Sequence, residues 1–213
     1  MAQGMSVVLL GDSILDNAPY TRPEPDTTAH LIGLLGSEWS VERLARDGAT
    51  MSEVSLQLQK LHAKPFRAVL SIGGNDAIAH IGLLERRATS AADVLDELLV
   101  IADAFERQYE TVARSVTDHA CGTVLCTIYE VPIEPPVFAR LARVPLALLN
   151  DRIVRVGARL GADILELRSV CKDPGDFVHQ IEPSPRGAAK IAGAIAGILR
   201  GAPEPRSGRV FVA

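Results

Sequence analysis

Cysteine and aromatic residues are scarce in this sequence. Its 213 residues include 3 cysteines, Cys121, Cys126 and Cys171, with no CxxC pair and no histidine at metal-ligand spacing. This odd number argues against a disulfide framework or a zinc site, so we expect free, buried thiols. Aromatic residues make up only 4% of the chain, with Trp39 as the single tryptophan, which leaves no aromatic platform for a sugar.

A basic patch, a nucleotide motif and an export signal are also missing from the sequence. The formal net charge is -4 and lysines and arginines are not clustered, so no positive surface for nucleic acid is expected. No GxGxxG or P-loop string supports a nucleotide or phosphate binder, the weakest function considered. Residues 1–10 contain neither a basic region nor a small-residue cleavage site, which favours a cytoplasmic protein without a membrane span.

Composition and periodicity predict one α/β domain. Hydrophobic residues are 47% and charged residues 23% of the chain, as in globular proteins, and the length suits a single domain. Short apolar runs alternate with longer helical patterns, which is typical of a parallel sheet with crossover helices. The domain is assigned to residues 1–200 and a loop-like tail to 201–213, whose last four residues either dock at a sheet edge or fray. The predicted strands are residues 6–10, 40–44, 67–72, 122–128 and 163–167.

Apolar residues spaced three and four apart predict helices between these strands. The clearest patterns cover residues 95–116, 149–160 and 185–199. Ser184 is the expected N-cap of the last helix, with Pro185 at its first position. Residues 129–145 contain four prolines and are predicted to form an irregular connection, suited to lining a substrate mouth.

Polar motifs follow two of the predicted strands. Gly11-Asp12-Ser13 comes directly after the first strand, and Gly73-Gly74-Asn75-Asp76 follows the strand at 67–72. Because the carboxyl ends of parallel strands form the ligand crevice, Ser13 is a candidate nucleophile. The side-chain N–H groups of Asn75 are candidate donors to an oxyanion. Each motif alone also fits an ordinary turn or helix cap.

Two further segments complete the set of candidates. Asp47-Gly48 follows the weak second strand and offers the Gly48 amide as another donor. Asp176 and His179 are three residues apart, and a helix-like turn would put them on the same side. The carboxylate of Asp176 can then orient the imidazole while its other ring nitrogen accepts the serine proton, although a surface pair has the same spacing.

Together these four motifs resemble the blocks of the GDSL family of esterases and lipases, the SGNH hydrolases, and occur in the family's order. The resemblance implies a three-layer α/β/α sandwich with a mainly parallel, five-stranded, flavodoxin-like sheet. It implies that Ser13 attacks the substrate, that His179 is the base and that Asp176 orients it. The Ser13 amide, the Gly48 amide and the Asn75 side chain would form the oxyanion hole. No metal or organic cofactor is implied.

The histidine register departs from the family pattern. Members usually continue DxxH directly as His-Pro-Ser-x-x-Gly, whereas here the string Pro183-Ser184-Pro185-Arg186-Gly187 follows Glu182. Anchored on that string, Glu182 takes the histidine position and His179 the aspartate position. Three arrangements stay open: His179 as base with Asp176, His179 as base oriented by Glu182, and Glu182 as base.

Intrinsic acidity favours His179 among these arrangements. Imidazole has a pKa of about 6.5, and raising glutamate from about 4.3 to about 7 requires about 3.7 kcal/mol. The sequence therefore predicts a serine esterase that cleaves carboxylic esters of small or acyl substrates through an acyl-enzyme. The alternative is a non-catalytic or weakly active ligand-binding protein of the same fold, with a displaced base at Glu182.

Overall fold

A computed structural model describes residues 5–62, 65–201 and 209–212. Its strands are β1 (Met5–Gly11), β2 (Trp39–Arg43), β3 (Arg67–Ser71), β4 (Gly122–Cys126), β5 (Asp163–Leu165), β6 (Phe177–Val178), β7 (Glu182–Pro183) and β8 (Val210–Phe211). Six of them form one sheet in the order β2-β1-β3-β4-β5-β8, and every neighbouring pair is parallel. The other two, β6 and β7, form a separate antiparallel hairpin.

Helices cover both faces of the large sheet. They are α1 (Ala18–Thr21), α2 (Thr27–Leu35), α3 (Val54–Leu58), α4 (Gly74–Ile78), α5 (Ala91–His119), α6 (Pro136–Leu160), α7 (Leu167–Val170) and α8 (Pro185–Arg200), with 3₁₀ turns at Met51–Glu53, Ile81–Glu85 and Pro174–Asp176. Val7 and Leu9 of β1 pack into a core with α2, α7 and α8. Val8 and Leu10, on the opposite face, pack with α3, α5 and α6. This arrangement is the three-layer α/β/α sandwich expected from the sequence.

The sheet has one strand more than predicted, and the additional strand comes from the tail. Val210–Phe211 lies parallel to β5, with the Ile164 N–H donating to the Arg209 carbonyl at 2.7 Å and the Glu166 N–H to the Phe211 carbonyl at 2.9 Å. The tail therefore docks at the sheet edge rather than fraying at Val210 and Phe211. Residues 202–208, which join it to α8, lie outside the described residues.

The proline-rich connection is shorter than predicted. Residues 129–135 are irregular, but α6 begins at Pro136 and continues through Pro145. Proline is favourable at the first helical position, where its missing N–H has no intrahelical partner. Pro145 removes one internal hydrogen bond, and we attribute its tolerance to the buried stripe that Leu149, Ile153 and Val156 add to the core.

Two of the three cysteines agree with the expectation from the sequence. Cys126 and Cys171 are free and buried as expected, whereas the free Cys121 is exposed and donates a hydrogen bond to the Phe66 carbonyl. Within residues 5–62, 65–201 and 209–212, no helix is both long and apolar enough to cross a bilayer. Within those same ranges, no group of three or more His, Cys, Asp or Glu side chains is arranged to hold a metal ion.

Candidate active site

Ser13 lies in the sharp turn that follows β1. Gly11 ends the strand with φ 120°, and a Cβ atom there would lie 1.7 Å from the Ser71 carbonyl oxygen, so only glycine fits. The Asp12 N–H donates to the same carbonyl at 3.0 Å, and the Leu15 N–H donates to the Asp12 carbonyl at 3.1 Å. The chain therefore reverses direction at the carboxyl end of β1. Ser13 lies half-buried at this end of the sheet.

A buried amide side chain fixes the backbone just before this turn. Gln57 of α3 accepts a hydrogen bond from the Gly11 N–H and donates one to the Gly11 carbonyl, both at 2.8 Å. The side chain is 2% exposed, so water does not compete for these bonds. Gln57 thus holds both backbone polar groups of the residue two positions before the candidate nucleophile.

Asp12 is buried directly beneath the turn. It is 3% exposed, and its Oδ1 atom accepts hydrogen bonds from the Ile14 N–H at 3.2 Å and the Ser71 hydroxyl at 3.4 Å. Burial raises the pKa of Asp12 to about 7, and the negative charge of Glu182 acts in the same direction. Two carboxyl groups, those of Asp12 and Glu182, are therefore close enough at this site to affect each other electrostatically.

Glu182 is the carboxyl group that faces Ser13. It opens β7, where it pairs with Val178, and is 8% exposed. The pKa of Glu182 is raised, mainly because the carboxyl group is buried and also because of the charge of Asp47. A hydrogen bond from the Ser13 side chain acts in the opposite direction but is outweighed. Its Oε2 atom is buried without a hydrogen-bond partner among the described residues. The glutamate in the histidine position of the motif thus lies beside the candidate nucleophile.

His179 occupies the tip of the β6-β7 hairpin. It has φ 49° and is followed by Gln180 with φ 72°, so these two residues form a left-handed turn. The His179 side chain is exposed, and its ring lies edge-on to Tyr20 at a centroid distance of 6.1 Å. Its charge lowers the pKa of Glu182, which puts the two groups within electrostatic range of each other.

Asp176 is engaged away from His179. It is fully buried, and its Oδ2 atom accepts hydrogen bonds from Lys190 Nζ at 2.7 Å and from the Lys172 N–H at 3.0 Å. Burial works to raise the pKa of Asp176, but the Lys190 ammonium and two backbone N–H groups outweigh it and lower the pKa. Arg186 Nε lies 3.1 Å from Oδ1.

The geometry between Asp176 and His179 differs from the helix-like turn expected from the sequence. Phe177–Val178 is extended because it pairs with β7 in the hairpin. Three residues in a strand span about 10 Å, whereas one helical turn spans about 5 Å. The carboxylate instead joins the turn at Pro174–Asp176 to the first turns of α8.

Two of the three residues predicted to supply oxyanion donors, Ser13 and Asn75, line the same cavity. Asn75 in α4 lies near Ser13 on the wall of one cavity, and its side-chain N–H group donates to the Ala49 carbonyl at 2.9 Å. Since the amide carries two hydrogens, the second is not used by this bond. Gly48 lies in an exposed turn with φ 75°, and it is not among the described residues that line the cavity.

A cavity of about 160 Å³ opens beside these groups. Asp12, Ser13, Asn75 and Glu182 all line it, and most of its remaining wall is aliphatic. A serine hydroxyl, a buried carboxyl group and an amide side chain therefore line one largely apolar space, which makes it the candidate active site.

Comparison with known families agrees with this arrangement. The model of the GDSL-like Lipase/Acylhydrolase family matches residues 9–190, which include Ser13, Asn75 and Glu182. The chain belongs to this family. It is thus a member of the GDSL-like lipases and acylhydrolases, the SGNH hydrolases, whose known activity is hydrolysis of carboxylic esters.

Solved structures of similar fold include several esterases and lipases. LAE5, an alpha/beta hydrolase from the metagenome of Lake Arreo, Spain, has 19% identity and a TM-score of 0.68, covering 94% of this chain and 99% of that one. Axe2, an acetylxylan esterase from Geobacillus stearothermophilus, has 16% identity and a TM-score of 0.66, covering 94% and 97%. An extracellular lipase from Streptomyces rimosus has 14% identity and a TM-score of 0.64, covering 92% and 100%. At such identities these matches show a shared fold. No curated protein sequence matches the chain.

The structure also reveals site residues of this GDSL-like hydrolase that the sequence did not indicate. Besides Gln57, Asn17 is fully buried, donates to the Pro183 carbonyl at 3.4 Å and accepts from the Thr27 N–H at 3.0 Å. It thereby ties the segment after Ser13 to β7, which carries Glu182. Amide residues with long-range backbone partners have no local sequence pattern, so only the tertiary structure identifies them.

Proposed function

We propose that this GDSL-like hydrolase is a serine esterase that cleaves carboxylic esters through an acyl-enzyme on Ser13. The observation that carries the proposal is the contact of the Ser13 side chain with the buried carboxyl group of Glu182 at the wall of the cavity. A serine hydroxyl is a weak nucleophile until an adjacent base accepts its proton. The family match and the esterase and lipase structures of the same fold support the reaction class.

The reaction balances with the groups at this site. Ser13 Oγ attacks the ester carbonyl carbon as its proton moves to the Glu182 carboxylate, giving a tetrahedral oxyanion. Collapse of the intermediate breaks the bond to the alcohol oxygen, which leaves with the proton from Glu182. Water then attacks the acyl-enzyme while Glu182 accepts its proton, and the second collapse releases the acid and returns the proton to Ser13 Oγ.

We assign the role of base to Glu182 rather than His179, the residue favoured by intrinsic acidity. A base must first be within reach of the proton it accepts, and only then does its pKa matter. Glu182 is buried against Ser13, whereas His179 is exposed at a hairpin tip. Burial and the charge of Asp47 raise the pKa of Glu182 toward neutrality, which is the direction a base needs.

The oxyanion hole is proposed to use the second N–H of the Asn75 side chain and the Ser13 amide. Asn75 is held in place because its first N–H is bonded to Ala49. The Gly48 amide is the third candidate donor, and the neighbouring Ala49 carbonyl is bonded to Asn75. Preorganised donors of this kind stabilise the charge that develops in the transition state.

Labelling with a fluorophosphonate tests the proposal directly, because it requires an activated serine. The wild-type protein should be labelled at Ser13 and should hydrolyse a p-nitrophenyl ester. Ser13→Ala should lose both properties while it keeps a cooperative thermal unfolding transition like that of the wild type. Ser55→Ala, at an exposed position of α3, is the matched control and should retain both.

Two outcomes contradict the proposal. Turnover by Ser13→Ala at the wild-type rate would place the nucleophile elsewhere. A folded wild-type protein with neither labelling nor turnover would favour the ligand-binding alternative, in which the glutamate at position 182 leaves Ser13 inactive.

A further inference from the structure

The cavity beside Ser13 continues between the helices that rise above the sheet. One side of its wall is formed by the 3₁₀ turn at Ile81–Glu85 and by the N-terminal half of α5. Ile81 and Leu84 line it from the turn, and Leu98 and Ile101 line it from α5. These side chains are aliphatic, so they offer a ligand contact area without hydrogen-bonding groups.

One face of α6 forms the opposite wall. Ala139, Ala142, Leu146 and Leu149 line the cavity, and their spacings of three, four and three residues put them on one side of the helix. The ten residue steps from Ala139 to Leu149 rise about 15 Å along the helix axis. The two positions nearest the start of α6 are alanines, whose short side chains leave space between this helix and α5.

Charged side chains at this wall compensate one another. Glu130 and Arg143 both line the cavity and form an ion pair at 2.8 Å. The pair presents no net charge to the cavity. An acetylated polar substrate such as a sugar would find few hydrogen-bond partners beyond His80, Glu130 and Arg143, because most of this wall is aliphatic.

We propose that this cavity binds an unbranched aliphatic acyl chain, so that the preferred substrates are esters of medium-chain fatty acids rather than acetyl esters. The inference rests on the proposed function, because it assigns the acyl side of the ester cleaved at Ser13. The chain enters past Ser13 and lies between α5 and α6 along the Ala139–Leu149 face. Water released from this apolar wall provides the driving force.

A series of p-nitrophenyl esters measures the length of chain that the cavity accepts. From acetyl through butyryl to octanoyl, kcat/KM should rise about fourfold per methylene, which corresponds to about 0.8 kcal/mol for each buried group. The rise should end once the acyl chain fills the space between α5 and α6.

A substitution inside the cavity links this preference to the structure. Ala142→Leu adds bulk to the channel wall, and the ratio of octanoate to acetate kcat/KM should fall at least about tenfold. Ala147→Leu is the matched control on the same helix, since Ala147 is exposed and does not line the cavity. That control should keep the wild-type ratio.

A binding measurement separates this inference from the proposed function. Ser13→Ala protein should bind a fluorescent polyene fatty acid saturably, and the double variant with Ala142→Leu should bind it at least about tenfold more weakly. Fatty-acid binding that is sensitive to Ala142 supports the acyl site even if the wild type hydrolyses no ester, in which case only the proposed function fails. Ester hydrolysis at Ser13 with acetate preferred and no effect of Ala142→Leu overturns the inference and leaves the proposed function intact.

Discussion

Two carboxyl groups, those of Asp12 and Glu182, are buried beside the Ser13 side chain. Burial raises the pKa of each of these two groups, because it disfavours the charged carboxylate. Their roles differ because only Glu182 interacts with the Ser13 hydroxyl. Asp12 instead bonds to the Ile14 N–H and the Ser71 hydroxyl, which hold the turn in shape.

Substitutions of Glu182 and His179 test which of the two residues is the base. Glu182→Gln should lower kcat by about 10² to 10⁴-fold, because the amide cannot accept the Ser13 proton. His179→Ala should change kcat by less than about tenfold, because the exposed ring acts on the site only through its charge. Steady-state kinetics with a p-nitrophenyl ester measure both values.

The pH profile supplies an independent readout of the same assignment. In the wild type, kcat/KM should rise with pH through the raised pKa of Glu182. Glu182→His should retain activity and shift the rise to the pKa of an imidazole, about 6.5 in its unperturbed state. A large loss in His179→Ala together with a mild effect of Glu182→Gln would return the role of base to His179.

Among the elements, α3 supports the turn that carries Ser13, although it has only five residues. Its Gln57 side chain accepts from the Gly11 N–H at the end of β1 and adds a second donor to the Gly11 carbonyl, which also accepts from the Arg46 N–H. Two buried hydrogen bonds of this kind contribute about 1 kcal/mol each, and their loss also leaves the Gly11 N–H unsatisfied, whereas the Gly11 carbonyl keeps the Arg46 N–H at 3.0 Å.

We therefore expect Gln57→Ala to lower the free energy of unfolding by about 2 to 4 kcal/mol. It should also lower kcat, because the turn carrying Ser13 loses its support. Urea denaturation and ester turnover measure the two effects. Gln59→Ala, at the exposed end of the same helix, should change stability by no more than about 0.5 kcal/mol. Equal effects of the two substitutions would rule out the positioning role.

Some elements were predictable from local patterns and others were not. The start of α8 was confirmed, because Ser184 caps the helix by accepting from the Gly187 N–H at 3.1 Å and Pro185 follows it. The start of α6 at Pro136 was missed, since prolines indicate loops unless tertiary packing compensates for them. The hairpin around His179 was also missed, because its two-residue strands pair only with each other.

At the scale of the whole molecule, the buried carboxyl groups make global stability depend on pH. The unfolded chain loses the Asp12 proton near the ordinary value of 3.8, whereas the folded protein holds it up to a pKa of about 7. Between these pH values the folded state binds more protons, so the free energy of unfolding falls as pH rises. Below 3.8 and above about 7 the Asp12 contribution is constant.

Replacing Asp12 isolates this contribution from the other titrating groups. The interval from 3.8 to about 7 corresponds to about 4 kcal/mol at about 1.36 kcal/mol per pKa unit. The stability of Asp12→Asn relative to wild type should therefore increase by up to that amount between pH 4 and 8, as measured by urea denaturation across the range. Asp118→Asn, at an exposed position, should give a curve parallel to wild type. A parallel curve for Asp12→Asn would contradict the raised pKa.

The sequence by itself determined the family, the layered α/β architecture and the position of Ser13 at a strand end. These features follow from local information: apolar periodicity, glycines that only a sharp turn requires, and motifs in a fixed order. Tertiary structure decided which carboxyl group lies beside Ser13, because the distance between residues 13 and 182 depends on how β7 packs against α1 and α8. It also decided the shape of the cavity beside Ser13, since α5 and α6 meet there from segments that are distant in the chain.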